Sequence, residues 1–148
     1  ILKQDFTNPE NIDQNNLIIF ENNLCFETSD FQNNKFKKFY IISNKNENRC
    51  IKLSEKVLKF KSSLIQDQEQ RFKNQSIDCE VIDISEIKKI EKAVGLYPTI
   101  GENLDYLNSN TFKINFLYRE LDQNSWQYCN KGFFNFKNYI PKIISTLN

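Results

Sequence analysis

Short runs of β-branched and aromatic residues alternate along this chain with stretches of helical periodicity, and that alternation limits the fold more than any other feature. Leu17 to Phe20, bounded by Asn15-Asn16 and Asn22-Asn23, suits a buried strand, as does Phe39 to Ser43 before the polar loop 44–48. From Ile51 to Phe72 the residues Leu53, Val57, Phe60, Leu64 and Ile65 recur at mostly three- and four-residue steps with Lys and Glu between, which predicts a helix. Cys79 to Ile84 predicts a third strand. Ser85 then suits the N-cap of a helix carrying Ile87, Ile90 and Val94, stopped by Gly95. Residues 101–111 are polar and turn-rich and read as an inserted loop. Phe112 to Tyr118 alternates apolar and polar residues, and Ser125 to Cys129 reads as its partner in an antiparallel hairpin. Phe133 to Leu147 has the spacing of a last helix, with Pro141 marking a kink or a late start. Strands alternating with helices predict an α/β fold: a sheet with a parallel part and helices on its faces.

At 148 residues the chain has room for one domain with a real core, read as 16–148 behind an N-terminal arm, 1–15. Twenty basic residues against nineteen acidic ones leave +1, which argues against a nucleic-acid binder, since these show a basic excess. The longest purely aliphatic or aromatic runs are four residues, far short of the about 20 that a membrane-spanning helix needs. Thirteen Phe, six Tyr, one Ala and abundant Asn, Ile and Lys match the codon drift of an AT-rich genome, so the Asn-rich loops are polar surface and not a functional bias. With Ile1 in place of an initiator Met, the expectation is a processed terminus or a cut within a longer protein. A processed terminus would suit the endoplasmic reticulum, the secretory lumen or the mitochondrion.

The missing residue types exclude chemistry. Without His there is no Ser-His-Asp or Cys-His pair and no His-ligated zinc. Three glycines build neither a Walker loop nor a GxGxxG turn. Cys25, Cys50, Cys79 and Cys129 are too far apart in sequence for a CxxC or a paired zinc site. No cofactor and no metal is expected.

The element order and one motif resemble the thioredoxin fold, and within it a protein disulfide isomerase domain. The motif is Cys79-Glu-Val-Ile-Asp-Ile-Ser, a helix of about ten residues, then Val94-Gly-Leu-Tyr97-Pro98-Thr99-Ile100. The resemblance implies a three-layer α/β/α domain with a mixed sheet of about five strands. It also implies a cis-Pro98 beside Thr99, with a backbone edge near Tyr97 that could hold an extended client peptide. Where the family carries its CxxC, this chain has Asn46-Glu47-Asn48-Arg49-Cys50. With Cys50 in the second position, Glu47 replaces the nucleophile and Ile41 the buried acid; with Cys50 in the first, Leu53 replaces the resolving cysteine. Placing Cys50 in the second position keeps the strand-to-helix loop short and is the favoured register.

Cys50, expected at a helix N-terminus beside Arg49, is the one candidate catalytic group, because the macrodipole and the guanidinium would both favour a thiolate. Its other reading is a half-buried cysteine acting as a small hydrophobe. Tyr97, Pro98, Thr99 and Glu47 are the candidate binding residues. Cys25, Cys79 and Cys129 are expected in or beside the core; Cys25 and Cys50 fall on the same sheet edge and are the pair to consider if any disulfide forms. Trp126, Tyr128 and the cluster Phe133, Phe134 and Phe136 read as core, with a docking patch as the alternative. Two functions follow. One is a redox-inactive thioredoxin-like domain that binds a protein partner or client, or forms part of a larger assembly. The other is a monothiol thiol-disulfide oxidoreductase using Cys50.

Overall fold

A computed structural model describes residues 6–147. They form two compact units: Pro9–Leu117, and the described residues up to Asn8 together with those from Tyr118 on.

The larger unit is α/β. Its strands are β1 (Asn16–Phe20), β2 (Phe39–Ser43), β3 (Cys79–Asp83), β4 (Ala93–Leu96) and β5 (Asn115–Leu117), and its helices are α1 (Glu55–Asn74) and α2 (Glu102–Ser109). All pairings are parallel and the spatial order is β3-β2-β1-β4-β5. A parallel sheet is buried on both faces, which is why its central strand reads as an unbroken apolar run. Leu17, Ile18, Ile19 and Phe20 of β1 are all fully buried. Leu17 and Ile19 enter one core with Phe39, Ile41, Val94 and Leu96; Ile18 and Phe20 enter the other with Ile42. The first core is closed by Ile65 and Phe72 of α1 and by Phe26 and Phe31 from the β1–β2 connection. The second is closed by Ile84 and Ile87 of a 3-10 stretch, Ile84–Lys89, and by Leu107 of α2. The result is three layers. The chain steps outward from β1 to β3 over one face, then crosses back to β4 and β5 over the other, which is the winding of a doubly wound sheet.

Several expectations are corrected. The sheet is not mixed: β5 pairs in parallel with β4 across the α2 crossover and does not form the expected antiparallel hairpin with residues 125–129. Residues 101–111, expected as a loop, hold α2; its inward residues Asn103 and Leu107 are four apart, so two buried positions suffice and the rest stay polar. Ala93–Leu96, expected at a helix end, is β4, placed beside β1 where Gly95 lets Ile114 and Ile18 approach. A Cβ at Gly95 would lie 3.2 Å from Ile114 Cγ2. Ser125 to Cys129 is not a strand: a helix, α3 (Glu120–Trp126), runs into turns there. The last helix is divided into α4 (Phe133–Phe136), a 3-10 turn and α5 (Ile140–Ser145), with Pro141 in the first turn of α5, where its missing N–H costs nothing. The expected arm packs from Pro9 on: Ile12 is buried in the first core and the Gln14 amide donates to the Lys35 carbonyl. Residues 1–5 of that arm, and with them Ile1, lie outside the described residues.

In the smaller unit the Phe6 ring packs against Tyr118 at 5.3 Å and Trp126 at 4.6 Å between ring centres. Asn8 both donates to the Tyr118 carbonyl and accepts from its amide. Tyr128 and Tyr139 stack at 4.3 Å. Among the described residues no helix is long and apolar enough to cross a membrane.

Candidate functional site

In an open parallel sheet the strand ends carry carbonyls and loops to one edge, and ligands bind there. Polar residues gather at that edge here. Glu21 follows β1, Asn44 follows β2, Asp83 ends β3, and Glu102 opens α2 after β4. Arg49, from the β2–α1 connection, joins three of these. Its Nη2 donates to Glu21 Oε1 at 2.7 Å, its Nη1 to Glu102 Oε2, and its Nε and Nη2 to the Asn44 carbonyl at 3.1 and 2.8 Å. The Arg49 side chain is 1% exposed and that of Glu21 5%, so this is a buried ion pair. Lys61 of α1 adds a second cation, its Nζ 3.1 Å from the same Glu21 oxygen. A buried guanidinium needs its donors filled, and the carbonyl and two carboxylates supply that.

The loop that carries Arg49 is held by its own side chains. Asp83 accepts from the Ser85 amide and hydroxyl, from Asn48 Nδ2 at 2.9 Å and from the Lys45 amide at 3.3 Å. Burial by itself would push the Asp83 carboxyl up; these hydrogen bonds outweigh it and hold the group below the usual carboxylate range. Asn46 accepts from the Leu53 amide and donates to the Leu53 carbonyl, both at 2.9 Å, which closes residues 46–53 into a clasp.

Beside this network lies a cleft of about 510 Å³ between α1, the ends of β1 and β2, and Val81 in the middle of β3. Leu58, Ile65 and Val81 give it apolar walls, while Lys45, Lys61 and Ser62 bring donors and Glu47 and Glu69 carboxylates. That volume and mixture fall in the range of ligand pockets.

The sequence-derived candidates are distributed unevenly over this edge. Glu47 and Arg49 line the cleft. Cys50 does not cap a helix: the N-cap of α1 is Ser54, and Cys50 sits in a bend ahead of it, exposed. The dipole argument for its thiolate therefore lapses, and Arg49 is turned inward onto Glu21 and Glu102. Tyr97, Pro98 and Thr99 leave the carboxyl end of β4. Among the described residues there is no cis peptide bond, so Pro98 is trans; it follows a strand here, and Thr99 takes the left-handed turn conformation at φ +62°. The backbone around it is already engaged. The Tyr97 amide donates to the Leu117 carbonyl, and the Tyr97 and Pro98 carbonyls accept from Asn23 and Asn22. Burial pushes the Tyr97 phenol up.

All four cysteines are free. Cys25 and Cys129 are exposed, contrary to the expected packing, because each lies in a connection outside the sheet. Cys79 is half-buried against the first core, and burial raises its thiol. Iodoacetamide is therefore expected to label Cys25, Cys50 and Cys129 of the native chain well before Cys79, read by peptide mass.

Sequence reasoning missed Glu21, Lys61, Asn44 and Glu102. A signal was present for the first: a carboxylate standing directly after a fully apolar strand run. Lys61 lies four residues before Ile65 on the buried side of α1, but nothing local separates it from the helix's other lysines. No protein-family model, no curated protein and no solved structure matches the chain.

Proposed function

We propose that this chain is a binding module without thiol chemistry, and that the cleft at the carboxyl edge of the sheet holds a segment of a protein partner or client. The observation that carries this reading is the cleft itself, with apolar walls and a charged rim, set beside the buried Arg49–Glu21 pair. An apolar side chain flanked by charged groups is the complementary chemistry. The thioredoxin-like interpretation draws support from the order β2-α1-β3 and from Tyr97-Pro98-Thr99. The all-parallel strand order speaks for a doubly wound scaffold instead, and the trans Pro98 departs from the cis bond that the resemblance implied. Glu47 keeps the binding role expected for it, whereas the occupied carbonyls of Tyr97 and Pro98 argue against strand addition there.

The test is a titration of the ¹⁵N-labelled chain with pooled short peptides carrying Leu or Ile between Lys and Glu. Amide shifts are expected to cluster at residues 43–49 and 58–66, and Ser62→Trp, which fills the cleft, is expected to abolish them. Shifts confined to residues 97–99, or undiminished in the Trp variant, would move the site away from the cleft. Cys50→Ser is expected to leave stability and peptide binding unchanged. Covalent capture of a partner that disappears in Cys50→Ser would replace this reading with the oxidoreductase one.

A further inference from the structure

The chain's balanced charge conceals a strong polarity. All nineteen carboxylates lie before residue 123, and from Gln123 to the C-terminus there are three lysines, Lys131, Lys137 and Lys142, with no acidic residue. All three lysines are exposed, and among the described residues none takes part in an ion pair. The same segment carries aromatic rings that its unit does not cover. Phe133 is 67% and Phe134 78% exposed, while Trp126, Tyr118 and Phe6 pack on one another. The two phenylalanines open α4 directly after Gly132, whose φ of +77° turns the chain and where an added Cβ would meet no atom beyond the adjacent residues within 4 Å. Their rings stand 5.8 Å apart, and the Lys137 ammonium lies 5.4 Å from the Phe134 ring centre. Ile144 of α5 is also 60% exposed.

We infer that this aromatic tip seats on an anionic lipid surface, with Phe133 and Phe134 entering the headgroup–acyl boundary and the three lysines meeting acidic headgroups. Two features on this segment favour a bilayer over a protein partner. A protein hot spot is closed off from water by a ring of packed contacts, whereas these rings stand exposed on the single turn of α4. An interfacial lipid anchor, in contrast, needs exposed Phe or Leu with lysines beside them and no carboxylates to repel the headgroups. The attraction is electrostatic in part, about fivefold in partitioning per lysine near an anionic surface, and falls off within a Debye length. It involves no spanning segment and no residue of the cleft.

The experiment is vesicle flotation of the whole chain, with phosphatidylcholine vesicles set against vesicles in which about a third of the lipid is phosphatidylserine, a composition chosen to carry the negative surface potential. Binding is expected to the anionic vesicles only, and to be lost in high salt. Phe133→Ser/Phe134→Ser is expected to weaken it at least tenfold, and so is Lys131→Gln/Lys137→Gln/Lys142→Gln; circular dichroism should show both variants folded, since every altered side chain is exposed. Equal binding to both vesicle types, no binding to either, or variants that float like the parent chain would overturn the inference. Retention of the chain on an acidic protein matrix, sensitive to the same substitutions but without vesicle binding, would reassign the patch to protein docking and would overturn it as well.

Discussion

Arg49→Ala is expected to destabilise the chain by about 3–5 kcal/mol, the cost of leaving a buried carboxylate without its partner. Glu21 would lose its 2.7 Å bond from the guanidinium and keep only Lys61, whose side chain is 30% exposed. The Asn44 carbonyl and Glu102 would lose donors in the same step. Urea unfolding measures the effect through the midpoint at constant slope. The double variant Arg49→Met/Glu21→Leu removes both charges and is expected to recover most of the loss, because well-packed apolar residues often replace a buried pair at little cost. The coupling from the full cycle then separates the pair from the loop hydrogen bonds around it. A single variant within about 1 kcal/mol of the parent would mean that the pair behaves like a surface bridge and that the carboxyl edge is not held by it.

The second large effect is expected at Phe72. Its ring is fully buried and meets Phe39 at 4.9 Å and Phe26 at 5.9 Å, while Phe36 closes the group against Phe26 and Phe39. The Phe72 carbonyl also accepts from the Ile77 amide as the chain leaves α1. Phe72→Ala removes a large side chain from the junction of α1, β2 and the β1–β2 connection and is expected to cost about 3–5 kcal/mol. Phe72→Leu keeps most of the volume and is expected to cost about 1–2 kcal/mol. Calorimetric or urea-induced unfolding of the two variants checks the order. If alanine and leucine cost the same, the loss would come from ring–ring geometry and not from the cavity.

Much of the architecture was legible because it is written locally. Leu17–Phe20 and Phe39–Ser43 announce buried strands, since only a strand covered on both faces tolerates such runs. α1 was legible from its period, and its start was misplaced by four residues. Ile51 and Leu53 continue the apolar spacing, while the Ser54 side chain, accepting from the Val57 amide, sets where the helix begins. That shift took Cys50 off the helix and with it the main argument for reactivity. β4 and α2 were missed for related reasons. Ala93–Leu96 is four residues long and contains a glycine, so it carries no strand signal of its own, and its place depends on β1 and β5. α2 shows the core only Asn103 and Leu107.

What the sequence determined unaided is the α/β class, the presence of a long helix after the second strand, and the absence of histidine, of a CxxC motif and of a P-loop motif. These follow from residue identity and from periodicity along a few consecutive turns, which need no distant partner. Only the tertiary structure decided that every strand is parallel, that β1 lies at the centre, and that Arg49 turns inward to Glu21 rather than outward toward Cys50. The physical reason is the range of the interactions. Backbone pairing between parallel strands and ion pairing across 28 residues, as between Glu21 and Arg49, have no signature within either segment, and they are settled when the layers close over the apolar strands.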